Sequence, residues 1–239
     1  MFKKIFLLLS FFVHLSCHAG SIWDEYSSVY KIKPSRNTLL IGSGLTALII
    51  SFFEDSVVDV IQQEAPETNR FGTYNHTVDL MGQWVPNLAY SGVNYLLGFS
   101  SDSNKSAYFE NANVMFKATS YAGLTTTILK YLIRQKRPDG STKNSFPSGH
   151  TTTAFAFAGV IGERHSLVYS IPAYLMATAV GLQRLNNNRH YLHDIMMGAT
   201  IGIAFGISVS KYNRNKSNLQ TSILYHDNRP AGLNLSYQF

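Results

Sequence analysis

Between Asn37 and Ser210 the chain alternates between long apolar segments and short polar ones. The strict alternation of apolar and polar residues that marks half-buried strands is absent there. The pattern instead predicts helices over residues 38–53, 85–98, 110–130, 148–162, 166–183 and 191–210. Small residues recur inside these segments and allow helices to approach closely. We therefore expect an all-α protein, a bundle of about six core helices.

The end of the chain changes character after residue 212. Leu219 to Tyr225 and Leu233 to Phe239 have the alternation of strands, and turn-forming residues from Asp227 to Pro230 separate them. Two strands cannot close a barrel in a membrane, where open edges are not tolerated. We expect a helical domain over residues 38–212, followed at 213–239 by a tail resembling a short β-hairpin.

The N-terminus has the pattern of a secretory signal. Basic Lys3 and Lys4 precede an apolar run from Ile5 to Val13 and a small-residue exit at Ala19. The run is shorter than the roughly 20 residues of a membrane span. This predicts a signal peptide over residues 1–19 and a linker over 20–37, with an uncleaved anchor or a lipid on Cys17 as alternatives.

Whether the domain enters a membrane is harder to read from composition. Uncharged stretches such as residues 166–183 approach spanning length. The same segments carry many Ser, Thr, Asn, Gln and Tyr, and the mean hydropathy of the whole chain is −0.03. Composition favours an exported periplasmic or envelope-associated protein with its site outside the cytoplasm; an integral inner-membrane protein is the alternative.

The charge pattern restricts the class of ligand. The chain has a formal net charge of +6 at pH 7. Many positive charges fall in two short stretches, Lys130 to Lys143 and Arg184 to Arg189, rather than along an extended face. This indicates a small anionic ligand or a single head group and excludes a nucleic-acid partner.

His190 and Asp194 form the first candidate catalytic pair. They are four residues apart, so on a helical turn the carboxylate reaches the imidazole. A carboxylate that holds Nδ1 leaves Nε2 basic, which suits attack on phosphorus. A structural pair, or a metal site that includes His193, is the alternative.

The sequence Pro147-Ser148-Gly149-His150 looks like the start of a helix. Ser148 is a good N-cap, and the backbone N–H groups that follow it favour an anion. A phosphate docked there would lie beside His150, which could protonate a leaving oxygen. An ordinary capped turn is the alternative for this motif alone.

Lys130, Arg137 and Arg184 supply positive charge. A phosphoryl transition state spreads negative charge over three oxygens, and fixed cations stabilise it. Taken singly, Lys130 could instead extend along a helix end and Arg137 could cap carbonyls.

Together these pieces resemble a known family. Lys-x6-Arg-Pro, Pro-Ser-Gly-His and Arg-x5-His-x3-Asp follow in this order, from Lys130 to Asp194. They are similar to the signature of the phosphatidic acid phosphatase type 2 and vanadium haloperoxidase superfamily. Two departures are Gln183, where the family usually has Ser, and the short loop from Asp139 to Phe146.

The resemblance implies a phosphatase that forms a phosphohistidine without a metal or cofactor, acting on a phosphate ester or diphosphate, favoured as a lipid. A vanadium-dependent haloperoxidase and a non-catalytic envelope structural protein stay open as alternatives. The implied roles are a nucleophile (His190), its orienting partner (Asp194), an acid and later base (His150), and phosphate binders (Lys130, Arg137, Ser148, Gly149 and Arg184).

Overall fold

The structure is a computed structural model that describes residues 22–52, 71–217, 219–226 and 229–237. The predicted all-α domain is confirmed, but these ranges contain eight α-helices where about six were expected. They are α1 (Ile22–Lys31), α2 (Lys33–Phe52), α3 (Asn75–Gly82), α4 (Val85–Ser100), α5 (Lys105–Ile133), α6 (Gly149–Arg164), α7 (Leu167–Asn186) and α8 (Leu192–Ser217). A 3-10 turn, Gly72–Tyr74, precedes α3.

Helices α6 and α8 lie side by side at the centre of the bundle and run in the same direction. Glycines on α8 make this close contact possible. A Cβ on Gly202 would lie 2.5 Å from the Thr152 carbonyl oxygen, and one on Gly206 would lie 2.8 Å from Gly159 Cα. Because the two backbones touch, the first residues of α6 and α8 are held next to each other.

Two further helices end where α6 and α8 begin. Lys130 lies in the last turn of α5, and Arg184 lies in the last turn of α7. The three motifs, which are separate in sequence, therefore meet at one end of the bundle.

Residues 20–37 differ from the predicted linker, because α1 and the start of α2 occupy them from Ile22 onward. Polar contacts attach α1 to the bundle. The buried carboxylate of Glu25 lies 2.9 Å from Lys117 Nζ and accepts a hydrogen bond from Asn213 Nδ2 at 2.6 Å. α1 is short and lacks the long apolar run from which helices were predicted elsewhere in the chain.

After α8, two strands follow, β1 (Leu219–His226) and β2 (Arg229–Tyr237). They pair antiparallel, with Leu219 opposite Tyr237 and an irregularity in register between Leu224 and Tyr225. The predicted signal peptide, residues 1–19, lies outside the described residues.

Within the described ranges, one helix is long and apolar enough by composition to cross a membrane. It covers Leu192–Asn215 and is mostly buried inside the bundle, as the core helix of a soluble protein would also be.

Candidate active site

His190 lies in the turn between α7 and α8 and is 1% exposed. The turn closes through a left-handed Asn188, with φ of 54°, and a hydrogen bond from Arg189 N to the Arg184 carbonyl. His190 Nδ1 lies 3.4 Å from Asp194 Oδ2, as the four-residue spacing predicts. The other ring nitrogen, Nε2, is therefore the candidate nucleophilic atom.

The Asp194 carboxylate is completely buried and fixed on several sides. Its Oδ2 accepts hydrogen bonds from Ser145 Oγ at 2.5 Å and from Tyr191 N at 2.9 Å. The second of these satisfies a backbone N–H at the start of α8, as in a capping box. A carboxylate held in this way keeps the His190 ring in one orientation.

Burial lowers the pKa of His190 to about 4. The Asp194 carboxylate raises this pKa, whereas the positive charges of Lys130 and Arg137 lower it further. The net result at neutral pH is an uncharged imidazole. A neutral ring carries the lone pair that a nucleophile needs.

His193 lies on the other side of Asp194. Its Nε2 is 3.2 Å from Asp194 Oδ1 and 3.1 Å from Gln135 Oε1. Its ring stacks on Tyr191 at a centroid distance of 5.3 Å. Among the residues that the structure describes, no group of three or more His, Cys, Asp or Glu side chains is arranged to hold a metal ion.

The start of α6 has the predicted capped geometry. Ser148 is the N-cap, and its Oγ accepts from Thr151 Oγ1 at 2.9 Å. Ser148 N donates to the Asp194 carbonyl at 3.0 Å, which ties the first turn of α6 to that of α8. A Cβ on Gly149 would make only ordinary contact with Lys130 Cε, at 3.9 Å.

The predicted cations surround this helix start. Lys130 Nζ donates to the carbonyls of Asn144 at 2.6 Å and Ser145 at 3.1 Å, and it lies within electrostatic range of Arg137, Arg184 and Asp194. Arg137 Nε donates to the Asn144 side chain at 2.9 Å. The structure thus brings all eight predicted site residues to one place.

Asp79, on α3, is a site residue that sequence reasoning missed. Its Oδ1 accepts a hydrogen bond from Arg184 and lies 3.5 Å from His150 Nε2. Its Oδ2 accepts from Gln83 Nε2 at 3.0 Å. One signal was available in the sequence, since Asp79 is the only Asp, Glu, Lys or Arg between Arg70 and Asp102.

Gln183, which stands where the family usually has Ser, joins two helices at the site. The side chain is fully buried, and its Nε2 donates to Asn75 Oδ1 at 2.8 Å and to the Asn75 carbonyl at 3.2 Å. Asn187 Nδ2 donates to the same Asn75 Oδ1 at 2.9 Å. These bonds attach the first turn of α3 to the end of α7.

The chain is similar in sequence to known proteins. The family model described as "PAP2 superfamily" matches residues 112–218, which include all three motifs. The lipid A 1-phosphatase of Porphyromonas gingivalis is 33% identical to this chain over 182 residues, 74% of the chain. The chain spans 39% of the length of that relative.

Two solved structures share the fold. The transmembrane PAP2-type phosphatidylglycerolphosphate phosphatase of Bacillus subtilis aligns with a TM-score of 0.62 and 20% identity, over 74% of this chain and 94% of that one. Aquifex aeolicus LpxE aligns with a TM-score of 0.53 and 22% identity, over 67% of this chain and 99% of that one. Membership of the family rests on the sequence matches: the family model and the Porphyromonas gingivalis relative, together with the three motifs assembled at the site, show that the chain belongs to the PAP2 superfamily.

Proposed function

We propose that this protein is a phosphatase that hydrolyses a phosphate ester through a phosphohistidine on His190. The observation that carries the proposal is the arrangement around His190. A buried neutral imidazole, oriented by a buried carboxylate, lies among Lys130, Arg137 and Arg184 and within electrostatic range of His150.

The reaction proceeds in two steps. His190 Nε2 attacks phosphorus, the bond from phosphorus to the leaving oxygen breaks, and His150 gives its proton to that oxygen. In the second step His150 takes a proton from water, the water oxygen attacks the phosphorus, and the bond to His190 breaks. Inorganic phosphate leaves, and His150 is protonated again for the next cycle.

The phosphate oxygens would be held by the cations and by the start of α6. Arg184 Nε is buried and has no hydrogen-bond partner among the described residues, so it is a donor that a phosphate oxygen could use. Ser148 Oγ accepts from Thr151, which leaves the Ser148 hydroxyl hydrogen to donate. The backbone N–H of Gly149 adds the partial positive charge of a helix N-terminus.

A lipid phosphate is the substrate class that we propose. The relatives with printed activities act on lipid A and on phosphatidylglycerolphosphate, both of which are lipids. The surface of this chain supports the same class. Large apolar side chains on α2, α4 and α7 are solvent-exposed, including Leu40 at 67%, Leu96 at 71% and Leu175 at 66%.

We also propose that the helical bundle is inserted in a membrane, because many polar side chains are buried at helix contacts while many large apolar side chains are exposed. Buried polar side chains bond between or within helices; Asn87 Nδ2 donates to Thr119 Oγ1 at 2.7 Å, and Ser35 Oγ donates to the Ala204 carbonyl at 2.8 Å. The apolar surface of α4 carries no charged residue. Small and polar contacts inside and large apolar residues outside are typical of helices in lipid.

Fractionation tests this location. An integral protein stays in the membrane after a carbonate wash, whereas a peripheral or periplasmic one is released. A site outside the cytoplasm, which the N-terminal segment predicts, would hydrolyse an impermeant phosphate ester added to intact cells. Release by carbonate would contradict the membrane proposal and leave the chemistry intact.

Activity is tested on the purified full-length chain. We expect hydrolysis of a lipid phosphate monoester and of 4-nitrophenyl phosphate in the presence of a chelator, with inhibition by vanadate. Oxidation of bromide by peroxide in added vanadate, without phosphatase activity, would favour the haloperoxidase alternative. Inactivity in both assays would favour a structural role.

A further inference from the structure

Asp79 places a carboxylate on the proton-donor side of the site. Its Oδ1 accepts from the Arg184 guanidinium and lies 3.5 Å from His150 Nε2. The side chain is 28% exposed, so it lies at the wall of the site rather than in the core. A phosphate oxygen that binds Arg184 would be a second anion beside this carboxylate.

The position of Asp79 is fixed at both ends of α3. Gln183 and Asn187 hold Asn75 at the start of the helix. At its end, the Gly82 carbonyl accepts a hydrogen bond from Thr153 on α6. A Cβ on Gly82 would lie 2.9 Å from His150 Cβ, so α3 packs directly against His150.

Positive groups face His150 from the other elements. Arg184 on α7 and Arg137 in the loop before α6 act on the imidazole electrostatically, together with His190. Burial and both arginines oppose a protonated ring, whereas Asp79 attracts one. The proposed first step needs that proton, because an alkoxide is a poor leaving group without it.

We propose that Asp79 is a positioning residue for phosphoryl transfer, which holds Arg184 in place and stabilises the protonated form of His150 against burial and the two arginines. This inference rests on the proposed function. Asp79 occupies one Arg184 N–H, so it also competes with phosphate there. Removal of its charge should therefore have two effects. Proton donation by His150 should become weaker, and inorganic phosphate should bind more tightly.

The experiment measures kcat/KM, which reports formation of the phosphoenzyme, for the full-length wild type and for the full-length variant Asp79→Asn. Each protein is assayed with two substrates. We expect about a tenfold loss for an alkyl phosphate, which needs its leaving oxygen protonated, and a loss below about threefold for 4-nitrophenyl phosphate, which does not. Inorganic phosphate should inhibit the variant at a several-fold lower concentration. Asp79→Glu should restore part of the alkyl phosphate activity.

Asp139→Asn is the matched control. Asp139 is a carboxylate in the loop before α6, where it pairs with Arg189 at 2.9 Å. Its removal changes the local charge equally without touching His150, and we expect both substrates to respond alike. In a His150→Ala background, Asp79→Asn should lower kcat/KM by the same factor for both substrates, because the effects of coupled residues are not additive.

Equal losses for the two substrates in Asp79→Asn, or weaker inhibition by phosphate, would overturn the inference. If wild type hydrolyses neither substrate, the proposed function fails first. The role in phosphate competition is then still measurable, because inorganic phosphate should raise the thermal unfolding midpoint of Asp79→Asn more than that of wild type. An equal or smaller rise would contradict it.

Discussion

The two histidines of the site lie in different surroundings. His190 is 1% exposed, and its partner Asp194 is completely buried between Ser145, Tyr191 and His193. On the other side, the His150 side chain is 30% exposed and that of Asp79 is 28% exposed. The side of the proposed nucleophile is buried, whereas the side of the proposed proton donor is partly exposed, so a substrate's leaving group would enter there.

This difference has a chemical reason. The nucleophile must meet one phosphorus atom in one orientation, and a buried carboxylate fixes that orientation. The proposed proton donor must reach a leaving group that belongs to the substrate, so it lies on the more exposed side of the site. Substitutions on the nucleophile side should therefore abolish turnover, while those on the donor side should change which substrates are used.

The largest effect is expected for His190→Ala. Removal of the nucleophile should lower kcat by at least about 10⁴-fold for every substrate. The matched variant is His193→Gln, which changes the neighbouring histidine of the same carboxylate and should cost less than about tenfold. Comparable losses of kcat in the two variants would contradict the assignment of His190, rather than His193, as the nucleophile.

A smaller effect is expected for Asp194→Asn. The amide keeps the size of the side chain but loses the charge that orients His190, and kcat should fall by about 10³-fold. The loss should be the same for good and poor leaving groups, in contrast to that of Asp79→Asn. A loss that depends on the leaving group would place Asp194 on the proton-donor side.

A modest effect is expected for Gln183→Ser, which introduces the residue that the family usually has. The shorter side chain cannot reach Asn75, so α3 is held less firmly, and kcat/KM for an alkyl phosphate should fall by about threefold. Thr178→Ala, an exposed change on the same helix, is the control. An unchanged kcat/KM would show that α3 does not depend on Gln183.

The smallest expected effect is that of pH on the charge of His190. The pKa of His190 is lowered to about 4, so the ring stays neutral as the pH falls from 7 to 5. At pH 5 only about 10% of His190 is protonated, and the ring should lose its neutral form near pH 4. NMR of labelled histidine checks this; a midpoint near 6.5 would mean that His190 is not desolvated as the structure has it.

The nucleophile side could be predicted from the sequence, and the donor side only in part. His190, Asp194 and the Ser148 cap follow from spacing and helix-start chemistry, which are local properties. Asp79 belongs to an eight-residue helix that is too short for a periodic pattern, and only tertiary contacts with α6 and α7 place it.

The polar residues of the helices show a second limit of sequence reasoning. Their number favours a soluble protein when composition alone is counted. In the structure Ser35, Asn87 and Thr119 are buried at helix contacts, while Leu40 and Leu96 are exposed. Composition cannot separate these cases, because the side of the helix on which a residue lies decides its meaning.

Trapping of the phosphoenzyme tests the central claim most directly. The full-length protein is mixed with a ³²P-labelled phosphate monoester, quenched in alkali, in which phosphohistidine is stable, and digested for peptide mapping. We predict label on the peptide that contains His190, lost in His190→Ala and kept in His193→Gln. Turnover without any label, or label that persists in His190→Ala, would contradict the account.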